Sequence, residues 1–195
     1  MNKSSSLFLF LATLVLTVLA CNVFVGGPDY SDRAPIPVSN EAAESLKEEI
    51  KRAFEAGAAT GEVTIHVTET QITSVLAQRL ITDRNLQQDR KPLITDPQVY
   101  LRDGQMQIFG KTQQGMFNAN IGIIVSVGVD ANGNPKIEIV SADFGPLPAP
   151  EGLNAAISAM IEEAYTGSIG PAATGLRIQT ISIADGVMTI TGRIK

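Results

Sequence analysis

Along the chain after residue 38, the alternation of apolar and polar positions falls into segments of clear period. From Ser39 to about Ala56, Ala43, Leu46, Ile50, Ala53 and Phe54 recur at helical spacing with Glu and Lys between them, and Ser39 stands where an N-cap belongs. Val63, Ile65 and Val67 then alternate with Glu62, Thr64 and His66, which predicts a half-buried strand carrying His66 on its polar side. Thr68 and Gln71 have capping-box spacing, and they open a second helix whose inner face is Ile72, Val75, Leu76 and Leu80. The polar stretch Asp83 to Lys91, followed by Pro92, is expected to end it. A third amphipathic helix is predicted from about Glu151 to Tyr165, with Leu153, Ala156, Ile157, Met160 and Ile161 on one face.

The rest of the period is two. Val99 to Lys111 forms two alternating runs around Asp103-Gly104, a strong hairpin signal, and Ile181 to Arg193 repeats the pattern around Asp185-Gly186. Each hairpin follows a strand and a helix. That order suits a strand, helix, hairpin unit used twice, although Asp-Gly hairpins also converge on such a pattern without any repeat. Between them, Phe117, Ala119, Ile121, Ile123, Val125, Val127 and Val129 predict one strand of about thirteen residues, ~43 Å long and more than twice the usual length. Asp130 to Asn134 turns the chain back, and the apolar phase then slips from Ile137 and Ile139 to Val140, Ala142 and Phe144, as a bulge requires. A strand this long needs a long apolar partner. The expected fold class is therefore α+β, a long curved antiparallel sheet packed on amphipathic helices.

The amino terminus has no such period. Leu7 to Ala20 is unbroken apolar sequence behind Lys3, the signature of a secretory signal, and Val18-Leu19-Ala20-Cys21 reads as a lipobox in which Leu19 is bulkier than usual. The expected division is a lipoprotein signal peptide over residues 1–20, a lipidated Cys21 with a flexible tether over 21–38, and a single α+β domain over 39–195. An uncleaved membrane helix from Leu7 to Val25 remains open, as does free secretion with a bare thiol. Both anchored readings place the domain on the extracytoplasmic side of a membrane. Gly26, Gly27, Pro28, Pro35 and Pro37 give Asn22 to Val38 the composition of a solvated tether, with a reach of ~56 Å when stretched.

Charge narrows the partners. Lys3 is the only charged residue before Cys21, so the exported part carries 14 basic side chains against 20 acidic ones. No basic run exceeds Arg90-Lys91, which argues against nucleic acid and against a polybasic grip on anionic lipid. One Cys permits no internal disulfide, and one His excludes a multi-His zinc site. Gly104 to Thr112 imitates a phosphate loop but has one residue too many between its glycines, and Asp130 to Pro135 imitates a calcium loop with Pro135 where Gly is needed. Glu48-Glu49 and Glu162-Glu163 lie on solvated helix faces, and no Gly-x-Ser-x-Gly elbow occurs. Nothing argues for an enzyme, and neither cofactor nor metal is expected.

Ile72, Val75, Leu76 and Leu80, with Leu153, Ile157, Met160 and Ile161, have two readings: packed core, or the walls of a groove for acyl chains. Here a resemblance adds weight. Val63-Thr64-Ile65 leading into the helix Thr68 to Leu80, Asp96-Pro97-Gln98-Val99 with its Asp103-Gly104 hairpin, and Gly145-Pro146-Leu147-Pro148 together resemble the YpmS-like envelope proteins, relatives of the tubular lipid-binding proteins. The resemblance covers roughly Glu62 to Arg193. It implies a membrane-tethered, non-catalytic domain with a curved sheet around a long helix, accommodating a lipid or another apolar envelope molecule. The chain departs from that pattern at its lipobox and at the added helix Ser39 to Ala56. An accessory module that docks a protein partner without any ligand is the alternative.

Overall fold

A computed structural model describes residues 23–86, 94–133, 135–149 and 175–194. In chain order the elements are β1 (Val23–Phe24), α1 (Asn40–Gly57), β2 (Glu62–Thr68), α2 (Glu69–Leu86), β3 (Thr95–Arg102), β4 (Gln105–Gln114), β5 (Phe117–Val129), β6 (Pro135–Asp143), β7 (Leu176–Ala184) and β8 (Val187–Ile194). They build two sheets. The larger runs β3-β4-β5, and the far edge of β5 is shared between β6 and β1; the smaller is β2-β8-β7. The α+β class is as expected, but the strands divide into two sheets instead of one, and β1 makes the larger sheet mixed because it runs parallel to β5.

Local signals explain the elements. The Ser39 side chain accepts a hydrogen bond from the Ala42 N–H at 3.0 Å and caps α1. Thr68 and Gln71 form the reciprocal box at the start of α2, each backbone N–H donating to the other's side-chain oxygen, at 2.9 and 3.3 Å. Both Asp-Gly pairs have φ near +50 to +80° (Asp103 55°, Gly104 73°, Asp185 49°, Gly186 80°), the conformation a two-residue hairpin turn demands. The thirteen-residue β5 spans Phe117–Val129 as expected, and the register shifts opposite Ile124 and Val125, leaving Val140 as the bulged residue of β6. The second helix runs to Leu86, within the polar stretch expected to end it.

Inner and outer faces follow from register. Val99, Ile108, Ile121, Ile123 and Val125 line the inner face of the larger sheet and form one core with Ile94 and Phe144, against which Ile72, Leu76 and Leu80 of α2 pack. Val63, Ile65, Val67, Leu176 and Ile178 of the smaller sheet form a second core with Leu46 of α1, and Val75 packs there. Ile72 touches both cores, so α2 is the shared wall. Two polar residues of α2 are fully buried as well: Thr73 Oγ1 accepts from the Val99 N–H at 3.1 Å, and Ser74 Oγ from the Ser39 N–H at 3.1 Å.

Two backbone contacts join the sheets as well. The Gly186 N–H donates to the Leu101 carbonyl at 3.1 Å, and the Ile178 N–H donates to the Gly133 carbonyl at 3.0 Å. At the first junction Glu69 accepts the Leu101 N–H at 2.7 Å and pairs with Arg102 through both carboxylate oxygens.

Residues 23–38 depart from the expected solvated tether. Val23 N–H donates to Met116 O and Val25 N–H to Asn118 O, both at 2.8 Å, so this segment continues the edge that β6 leaves open. Farther on it crosses the outer face, where Ile36 and Tyr30 pack with Tyr100 and Phe109. The physical reason is that Gly and Pro, which mark a tether by composition, here serve close approach: a Cβ on Gly27, at φ 111°, would lie 2.1 Å from the Asn120 carbonyl oxygen. The segment is a strap.

Candidate functional site

The concave face of the larger sheet is the best candidate, because it is long, aliphatic and only partly closed. Its centre is sealed, with Val99 and Ile121 at 0% and 1% exposure, and burying side chains of this size is worth roughly 1.5–3 kcal/mol each. Outwards the same face opens: Leu76, Leu80, Met106, Val127 and Ile137 are half-buried, and Ile139 on the edge strand is 43% exposed. Ile137 and Ile139 pair with Val127 and Val125, so they face the same side of the sheet as the core. No charged side chain interrupts this row.

Of the residues singled out in the sequence, Ile72, Leu76 and Leu80 are brought together on this face, whereas Val75 turns to the second core. Leu153, Ile157, Met160 and Ile161 lie outside the described residues, as does Cys21. Sequence reading missed Met106, Val127, Ile137 and Ile139 as lining. Their signal was present in the alternation of β4, β5 and β6, but the bulge at Val140 obscured which face Ile139 takes.

The other candidates resolve into structure. His66 sits on the exposed face of β2, its Nδ1 3.2 Å from Thr189 Oγ1 across the strand pair. Gly104 to Thr112 is the turn and body of β4, and at the calcium-loop look-alike the Asp130 carboxylate accepts the Asn132 N–H at 2.8 Å, an ordinary turn. Among the described residues no group of three His, Cys, Asp or Glu side chains is placed to hold a metal ion, and no helix is long and apolar enough to cross a membrane.

On the convex face the strap is clasped by aromatic and cationic contacts. Arg33 lies over the rings of Tyr100 and Phe109, 5.0 and 4.8 Å from their centroids, and donates to Gln107 Oε1 at 2.6 Å. Tyr30 stacks at 5.1 Å on Phe109, and the Tyr100 hydroxyl donates to the Ala34 carbonyl at 3.2 Å. Burial pushes the phenols of Tyr30 and Tyr100 above the ordinary tyrosine value.

No family model matches the chain, and no curated protein matches it. Among solved structures, a lipopolysaccharide binding protein aligns with 69% of this chain at 11% identity and a TM-score of 0.26. The aligned chain spans about half of that structure, 49% of its length. A likeness of that size carries no ligand across.

Proposed function

We propose that this protein is a non-enzymatic envelope lipoprotein, tethered through Cys21 on the extracytoplasmic side of a bacterial membrane, which binds or shields a lipid or another apolar envelope molecule. One observation carries the reading: the inner face of the larger sheet passes from sealed core to half-buried and exposed aliphatics, Met106, Val127, Ile137 and Ile139, with no charged side chain among them. A surface of that kind suits acyl chains, which need area and pliancy more than directed hydrogen bonds. The resemblance to YpmS-like proteins and the lipobox at Cys21 support the same reading.

The test is native mass spectrometry of the full chain after mild extraction from membranes. Wild type is expected to carry co-purified lipid, and Ile139→Asp, at a position already exposed, is expected to lose most of it while remaining folded. A wild-type protein that is reproducibly empty would sink the lipid reading. A dominant protein adduct on crosslinking in cells would put the accessory-module reading in its place.

A further inference from the structure

The lipoprotein reading of the amino terminus places a bilayer at residue 21, and the first backbone contact among the described residues lies only two residues later, at Val23. Two residues reach no farther than ~7 Å. Whatever surrounds Val23 is therefore held against the membrane, and that surroundings is unusual. Val23 is 46% exposed, Phe24 62%, Met116 52% and Phe117 43%, the densest group of exposed large apolar side chains among the described residues. They are neighbours by register: Val23 pairs with Phe117, Phe24 with Asn118, and the Val23 N–H donates to the Met116 carbonyl.

The local geometry displays these side chains. Gly115 at φ 61° takes the first position of a two-residue turn between β4 and β5, which puts Met116 at the tip where hairpins ordinarily carry polar residues. Adjacent strand positions face opposite ways, so Val23 and Phe117 project on one side of the sheet end and Phe24 on the other. Neither Asn22 to Pro28 nor Thr112 to Asn120 contains a charged residue, so removing this end from water desolvates no charge.

The geometry points to this end of the β4-β5 hairpin, with the strap strand beside it, as a bilayer-inserting tip. Its occupant is the lipid surface itself. The inference rests on the lipoprotein reading above and adds a posture to it: the strap keeps the domain from standing off, and the apolar tip provides a second, reversible grip beside the lipidated amino terminus, of the apolar kind open to an acidic protein.

The chain contains no Trp, so single-tryptophan variants report position cleanly. Full-length Phe24→Trp, Met116→Trp and Val140→Trp proteins are reconstituted into phosphatidylethanolamine–phosphatidylglycerol vesicles, separated by flotation, and compared with and without brominated acyl chains. Val140 is 55% exposed and lies on β6, away from the tip. Phe24→Trp and Met116→Trp are expected to emit at shorter wavelength and to lose intensity to brominated lipid, while Val140→Trp keeps its intensity. Equal quenching at all three positions overturns the tip in favour of a domain lying flat. Flotation without quenching at positions 24 and 116 overturns the tip and leaves the anchor standing. Failure to float overturns the anchored reading, and the tip with it.

Discussion

Glu69 shows how much one side chain can hold in this fold. It opens α2, accepts the Leu101 N–H at 2.7 Å, and grips Arg102 while its own N–H donates to the Gly186 carbonyl at 3.2 Å. Its side chain is mostly buried and that of Arg102 is not, at 16% and 46% exposure. The two partners are therefore worth different amounts. Removing the carboxylate strands a backbone N–H and costs about 2–3 kcal/mol, whereas removing the half-exposed guanidinium costs at most about 1 kcal/mol after solvent screening. Urea titrations of Glu69→Ala and Arg102→Ala are expected to show that order, and equal losses would mean that the ion pair outweighs the Leu101 bond. Lys111 makes the contrasting case: its amine is raised by the hydrogen bond to Asp96 at 3.0 Å, but both groups are largely exposed, so the pair contributes little.

Among the elements, the strap holds the largest departure from what the chain alone implies. The capping box at Thr68 and Gln71, the two Asp-Gly hairpins and the length of β5 are local signals, and each was legible because its residues lie within a few positions of one another. The strap is non-local. Its partners Phe117, Asn118 and Asn120 are remote in sequence, and its clasp residues Tyr30, Arg33 and Ile36 follow no period of two or 3.6. Thr73 and Ser74 are buried by equally remote partners, the Val99 and Ser39 N–H groups, which no local pattern announces. The candidate site was half legible, through Ile72, Leu76 and Leu80, because helix periodicity names a face but not what the face meets. Two outcomes test the strap. Gly27→Ala introduces a Cβ into the Asn120 carbonyl at an unfavourable φ, a strain of about 1–3 kcal/mol, and is expected to free the strap for tryptic cleavage at Arg33 while the wild type resists. The clasp also has a pH limit. Because Tyr30 and Tyr100 are raised, the folded state keeps their protons to higher pH than the unfolded state, whose value is near 10.0. The stabilisation is complete below that value and is lost as pH rises through the higher folded values. Absorbance at 295 nm is expected to show a late-titrating component that Tyr30→Phe and Tyr100→Phe each reduce.

At the scale of the whole molecule the question is whether two sheets behave as one domain. Each has its own core, and among the described residues they are bound by α2, by Val129 of β5, which packs against the second core, and by the Gly186–Leu101 and Ile178–Gly133 contacts. Of these α2 dominates, because Ile72 packs into both cores, while each backbone contact is a single hydrogen bond worth about 1 kcal/mol. Loss of α2 would uncover the inner faces of both sheets at once, so neither sheet can unfold far without exposing the other, and a single cooperative transition follows. Tryptophan placed at Phe54, beside the smaller sheet, and separately at Phe144, in the core of the larger one, reports each side. The two urea midpoints are expected to coincide. Ile72→Ala, which removes a half-buried side chain from both cores, should lower them together by an amount equivalent to about 2 kcal/mol. If instead Ile72→Ala splits the midpoints, the sheets are separable units, and α2 is a hinge through which occupancy of the concave face could be felt at the smaller sheet.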